Sequence, residues 1–102
     1  QADSNSTVYC DDSIYAIKDI NPLSPTHILV IPLMHISDLS ATDTGCEKLL
    51  GHLLHVATQL ADSQGIADSG YRLVINQGHD AGQEIEHLHV HLIGGRPLGS
   101  MG

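Results

Sequence analysis

Glu86-His87-Leu88-His89-Val90-His91-Leu92-Ile93-Gly94-Gly95 alternates histidine with aliphatic residues. A period of 2 is the period of a β-strand. The stretch predicts a strand over residues 86–93, with His87, His89 and His91 on one face and Leu88, Val90 and Leu92 on the other. Strand positions favour β-branched and aromatic side chains, so propensity does not explain three histidines on one face. Imidazole has an unperturbed pKa of about 6.5, the closest of any side chain to neutrality. Such a row can attack phosphorus, shuttle protons or bind a metal.

The rest of the chain bounds what surrounds this row. Its 102 residues suggest one domain over residues 1–102, and 41% hydrophobic residues suffice for a folded core. That core is aliphatic, since there is no Phe or Trp and only Tyr9, Tyr15 and Tyr71. A formal charge of −8, from four basic and twelve acidic residues, argues against a nucleic-acid polymer as partner. A mononucleotide remains open, because a few backbone amides can hold its phosphate. Cys10 and Cys46 form no CxxC pair and read as free thiols of a reducing compartment, which implies a cytoplasmic protein. No stretch approaches the roughly 20 apolar residues of a membrane span, and no signal-peptide pattern is present.

Along the chain, residues 1–7 are polar and expected to fray, 8–10 are extended, and Asp11-Asp12-Ser13 is a turn. Strands are expected at 14–18, 27–32 and 71–76, with a proline-punctuated loop at 21–25. A helix over 44–64 has Thr44 and Glu47 spaced as a capping box and Gly65 at the C′ position. Its apolar face is read as Leu49, Leu50, Leu53, Leu54, Ala57, Leu60 and Ala61. That face can supply core or a contact between two copies. The tail, 94–102, is turn-rich. Several strands around one long helix give an α+β fold with an antiparallel sheet.

Ala81-Gly82-Gln83-Glu84 precedes the histidine strand. Glycine there lets backbone N–H groups approach an anion, and an anion site beside imidazoles points to phosphoryl or nucleotidyl chemistry. At this point the chain resembles the histidine triad superfamily, whose signature is His-x-His-x-His followed by apolar residues. The segments 14–22, Pro25-Thr26-His27, Val30-Ile31-Pro32, Gly70-Tyr71-Arg72 with Asn76, Ala81-Gly82-Gln83 and Gly94-Gly95-Arg96-Pro97-Leu98-Gly99 are similar to the Hint-type branch, the purine nucleoside phosphoramidases. The similarity runs from Tyr9 nearly to the end and keeps the family's order.

The resemblance implies a sheet extended across a homodimer, and roles for single residues. His89 is the implied nucleophile, His91 supports it beside the phosphate, His87 hydrogen-bonds in the same row, and His27 extends the network to the adjacent strand. Asp19 is implied to accept hydrogen bonds from ribose hydroxyls, with Ile17 and Ile20 against the base. Asn76, Gly82, Gln83 and Glu84 are implied to line the phosphate side. The implied reaction is hydrolysis of purine nucleoside 5′-phosphoramidates through a nucleotidyl-histidine, with no metal or other cofactor required. His35, His52, His55 and His79 receive no role and read as surface or helix-flank residues.

Four departures bear on specificity. Glu84 stands where many Hint-type proteins have Ser. Ile17 replaces an aromatic residue of some relatives. The family's N-terminal helix is absent or trimmed, and the C-terminus carries no aromatic residue. Three other functions stay open: a dinucleoside polyphosphate hydrolase or nucleotidyl transferase of the same superfamily, a zinc-binding module, and a nucleotide-dependent interaction protein. Zinc is the less natural reading of the row, because same-face residues on a strand lie about 6.5 to 7 Å apart, whereas zinc needs nitrogens at about 2.1 Å.

Overall fold

Alternation of apolar and polar residues builds one sheet with two unlike faces. A computed structural model describes residues 6–101. Its elements are β1 (Thr7–Cys10), β2 (Ile14–Lys18), β3 (Thr26–Pro32), α1 (Glu47–Ser63), β4 (Tyr71–Val74) and β5 (Val90–Gly94), with short 3-10 turns between. The strands form a five-stranded sheet in the order β1-β2-β3-β5-β4, with every neighbouring pair antiparallel. The α+β class read from the sequence is the architecture observed. The polar stretch at 1–5 lies outside the described residues, and Thr7 already belongs to β1.

Helix α1 covers one face of the sheet. Ile14, Ala16, Ile28, Val30, Val90 and Leu92 pack there against Leu53, Val56, Ala57, Leu60 and Ala61, and Ile36, Ile66 and Leu88 fill the ends. The buried helical positions follow the i, i+3, i+4 spacing of an amphipathic helix. This corrects the expected face: Val56 is fully buried, Leu54 is 42% exposed, and Leu49 and Leu50 are only half-buried. Leu53, Val56, Ala57, Leu60 and Ala61 are spent on the core, while Leu54 stays exposed.

The helix also starts differently. The capping box of Thr44 and Glu47 does not form. Asp43 Oδ1 accepts the Gly45 N–H at 2.9 Å and opens a 3-10 turn over Thr44–Cys46, so α1 begins at Glu47 without a side-chain cap. Aspartate is at least as good a cap as threonine and it comes first in the chain. The other end follows expectation. Gly65 has φ +77°, and Ile66 N–H donates to Ala61 O while Gly65 N–H donates to Asp62 O, both at 3.0 Å. These two bonds are the Schellman closure.

The histidine stretch is a shorter strand than its pattern predicts. Pairing with β3 begins only at Val90, and 86–89 form a bend and an extended lead-in, tied by Leu88 N–H to Ile36 O. The alternation survives, since Leu88, Val90 and Leu92 are buried while His89 and His91 are not. β4 likewise ends at Val74, short of the expected Asn76. Gly94 sits tightly where β5 closes, because a Cβ there would lie 2.7 Å from Ile66 Cδ1 and force that side chain to shift.

A polar clamp holds the β1–β2 hairpin to the helix. Asp11 Oδ1 accepts the N–H groups of Ser13 and Ile14 at 2.8 Å, which makes the expected turn. Its Oδ2 accepts the Tyr9 hydroxyl at 2.6 Å and lies 2.8 Å from His52 Nε2 on α1. The Tyr9 hydroxyl first, then the Ser13 amide and His52, hold the Asp11 carboxyl well below the usual carboxylate range. A carboxylate with a depressed folded pKa stabilises fully above its unfolded pKa of about 3.9, and that stability is lost as pH falls below it. Asp11→Ala should therefore lower the Tm at neutral pH, and the gap to wild type should close as thermal melts are taken below about pH 4. A gap that stays constant down to pH 3 or so would show that the carboxylate charge is not what holds the hairpin.

Candidate active site

The face of the sheet opposite α1 carries the chemistry. Antiparallel partners share a face, so Leu29 opposite His91 and His27 opposite Ile93 place both rings on this side. They border a cavity of about 420 Å³. The loop after β2 contributes Asp19, Asn21 and Leu23, β3 contributes His27 and Leu29, and the β4–β5 connection contributes Asn76, Gly82, Gln83, Glu84 and Ile85. His89 and His91 complete the wall.

The hydrogen bonds fix which nitrogen of each ring carries the proton. His89 Nδ1 lies 2.7 Å from the His87 carbonyl oxygen. A carbonyl can only accept, so Nδ1 carries the hydrogen and the neutral ring keeps its lone pair on Nε2. His27 Nδ1 accepts the Leu23 N–H at 3.0 Å, so its hydrogen is on Nε2. That Nε2–H faces two acceptors, His91 Nδ1 at 2.9 Å and Asp19 Oδ2 at 3.5 Å. His91, accepting at Nδ1, keeps its hydrogen on Nε2 and offers it as a donor. One backbone amide thus polarises a chain of two imidazoles. Leu23 is itself held from the far side of the sequence, for its carbonyl accepts Arg96 Nη2 at 2.7 Å.

Burial, followed by the neighbouring His89 and His27, lowers the pKa of His91 from the ordinary 6.5, and Asp19 opposes the shift. His91 therefore stays neutral at lower pH than a free histidine. Asp19 is positioned by its own turn, with Oδ1 accepting the Asn21 N–H at 2.8 Å.

Several expected site residues stand elsewhere. His87 does not line the cavity. Its Nε2–H donates to Pro32 O at 3.0 Å and its ring lies 5.1 Å from His35, because residues 86–88 bend away before β5 begins. Its own carbonyl accepts the His89 Nδ1–H. Ile17 and Ile20 are also outside the lining: Ile17 is half-buried on β2 opposite Leu29, and Ile20 is 88% exposed. Gly82 lines the cavity with φ +82°, but its N–H donates to His79 O, and those of Ala81 and Gln83 donate to Gly78 O. The glycine loop is closed on itself, so these amides are not the anion cradle expected of them. The Gln83 side chain fastens the same loop, accepting from Gly78 N–H and donating to Ser37 O. Sequence reasoning missed Asn21, Leu23, Leu29 and Ile85. Leu29 was readable as the same-face neighbour two residues after His27, whereas the Leu23 amide leaves no side-chain signal.

Asp19, His27 and His91 bring three potential metal donors within 4.8 Å of one another. The arrangement does not suit a metal. A ligating imidazole donates its other N–H to an acceptor, but His27 Nδ1 faces the Leu23 N–H, itself a donor. Ligation through Nε2 would set two donors against each other.

A family model described as the HIT domain matches residues 1–98. Over 94 residues the chain is 47% identical to the purine nucleoside phosphoramidase of Escherichia coli (strain K12), covering 92% of this chain and 79% of that protein. It is 43% identical over 96 residues to a 14 kDa zinc-binding protein of Zea mays, covering 92% and 74%. A solved HIT family hydrolase from Legionella pneumophila Philadelphia 1 superposes with a TM-score of 0.90 at 40% identity, covering 92% of this chain and 84% of that one.

Nitrogen-15 NMR of the imidazoles reads the proton positions directly. His89 should appear with hydrogen on Nδ1, His27, His87 and His91 with hydrogen on Nε2, and His91 should titrate below 6.5. Hydrogen on His27 Nδ1 would overturn the polarised chain.

Proposed function

The chain belongs to the HIT domain family, and on that premise we propose that it hydrolyses the P–N bond of purine nucleoside 5′-phosphoramidates to a nucleoside monophosphate and an amine. The observation that carries this reading is the His89 ring, fixed by its Nδ1–H on the His87 carbonyl so that the Nε2 lone pair is free. A neutral imidazole is a good nucleophile near neutrality, and the covalent step splits one difficult displacement into two easier ones.

His89 Nε2 forms a bond to phosphorus as the P–N bond to the amine breaks. The departing nitrogen takes up a proton. Water then attacks phosphorus, loses a proton, and displaces His89, so the two protons cancel over the cycle. His91 Nε2–H donates to a phosphoryl oxygen where negative charge grows in the transition state. Lowering of the His91 pKa by burial matters less for this donor role than the fixed hydrogen position that His27 imposes. Asp19 receives the ribose hydroxyls, and Asn76, Gly82 and Glu84 stand on the phosphate side. The cycle balances without a metal.

The cavity lining holds two carboxylates, Asp19 and Glu84, and no Lys or Arg. A dinucleoside polyphosphate would bring several more negative charges into it, which favours the phosphoramidate. We further place the protein in the cytoplasm, with Cys10 and Cys46 as free thiols. Among the described residues no helix is long and apolar enough to cross a membrane. A homodimer would form by pairing of β4, an outer strand whose four residues are all half-buried, with its copy.

AMP release from an adenosine 5′-phosphoramidate, followed with EDTA present, tests the reaction. Wild type should turn over, and His89→Ala should fall by about 10⁴-fold or more, as for removal of other covalent nucleophiles. Absence of turnover by wild type, or a His89→Ala variant within about tenfold of it, would refute the nucleophile assignment.

A further inference from the structure

We propose that Glu84 selects phosphoramidates whose leaving amine carries a second, cationic amino group several bonds from the P–N nitrogen. The proposal rests on the P–N hydrolysis above and names its substrate class.

Glu84 lines the same cavity as His89, His91, Asn76 and Gly82. Among the described residues its carboxylate has no ion pair and no hydrogen bond, unlike Asp19, which is bound to the Asn21 amide and set against His27. Glu84 is therefore the one lining carboxylate whose oxygens are uncommitted. It follows directly on Gln83, which is fastened to Ser37, so the backbone behind it is held in place.

No cation of the protein answers this charge. The chain has four basic residues, Lys18, Lys48, Arg72 and Arg96, and none lines the cavity. Arg72 donates to Gly99 O and Arg96 to Leu23 O and Pro97 O, while Lys18 and Lys48 are exposed elsewhere. An anionic substrate must be bound here by imidazoles and neutral donors, against two carboxylates and a net charge of −8. An ammonium on the leaving group reverses the sign of that interaction at Glu84 and relieves the repulsion. The carboxylate is exposed, so the gain is that of a solvated ion pair, small and screened by salt.

The test compares two adenosine 5′-phosphoramidates of equal length, one made from pentane-1,5-diamine and one from hexylamine. The distal ammonium is five carbons from the reacting nitrogen, so leaving-group basicity is nearly matched. The readout is the ratio of kcat/KM for the cationic over the neutral compound, measured for wild type, Glu84→Gln and Glu84→Asp. Wild type should prefer the cationic compound by about three- to fivefold at low salt. The preference should fall toward one in Glu84→Gln and, for wild type, in about 0.5 M salt, and should persist in Glu84→Asp. The salt arm requires no variant and tests whether the preference is electrostatic, and the Gln and Asp variants, made at an exposed side chain without a hydrogen bond, assign it to Glu84. A wild-type ratio near one overturns the proposal and leaves Glu84 as a general proton donor or a solvated acid, since either would treat the two amines alike. A ratio that survives in Glu84→Gln assigns the preference to the overall charge of the protein and overturns the role of Glu84. If wild type hydrolyses neither compound, P–N hydrolysis itself has failed and the inference falls with it.

Discussion

The pairing of β3 with β5 is the constraint on which both core and site depend. In that ladder Ile28 sits opposite Leu92 and Val30 opposite Val90, while His27 sits opposite Ile93 and Leu29 opposite His91. One register sends four aliphatic side chains toward α1 and the two rings that hydrogen-bond to each other toward the cavity. A slip of one residue would exchange the faces, burying imidazoles among aliphatics and exposing the core. Stability and site geometry are therefore set by the same hydrogen bonds, and α1 enforces the register by requiring its apolar partners.

Within the site, direction matters as much as position. Three imidazoles near one another could share protons in several ways. The structure removes that freedom with two main-chain groups, the His87 carbonyl on His89 and the Leu23 amide on His27. The first leaves the His89 lone pair on Nε2. The second leaves His91 a donor and also makes the Asp19–His27–His91 cluster a poor metal site, although its donor atoms are close enough to suggest one.

Much of this was legible in the sequence because it is written in periodicity. The alternation at 88–92, the helical spacing at 53–61 and the glycine at 65 each report a single local geometry, and each recurs in the fold. What was not legible involves choices between partners. Asp43 rather than Thr44 takes the first free amide, Asp11 gathers Tyr9 and His52 across more than forty residues, and the bend at 86–88 draws His87 to the end of β3. Glycine misled in a different way. Gly82 does have the left-handed backbone that only glycine adopts easily, but that turn consumes the neighbouring amides instead of presenting them. The motif around the histidines therefore located the cavity while saying little about which atoms face into it.

Leu23 contributes its N–H to His27 and its carbonyl to Arg96. Both are main-chain groups, so the side chain at this position can drift without changing where the imidazole protons sit. Proline alone among the standard residues lacks the donor. At the centre of the site's protonation the requirement is a conformation of the loop and not a particular side chain, so a comparison of side chains alone would pass over the position.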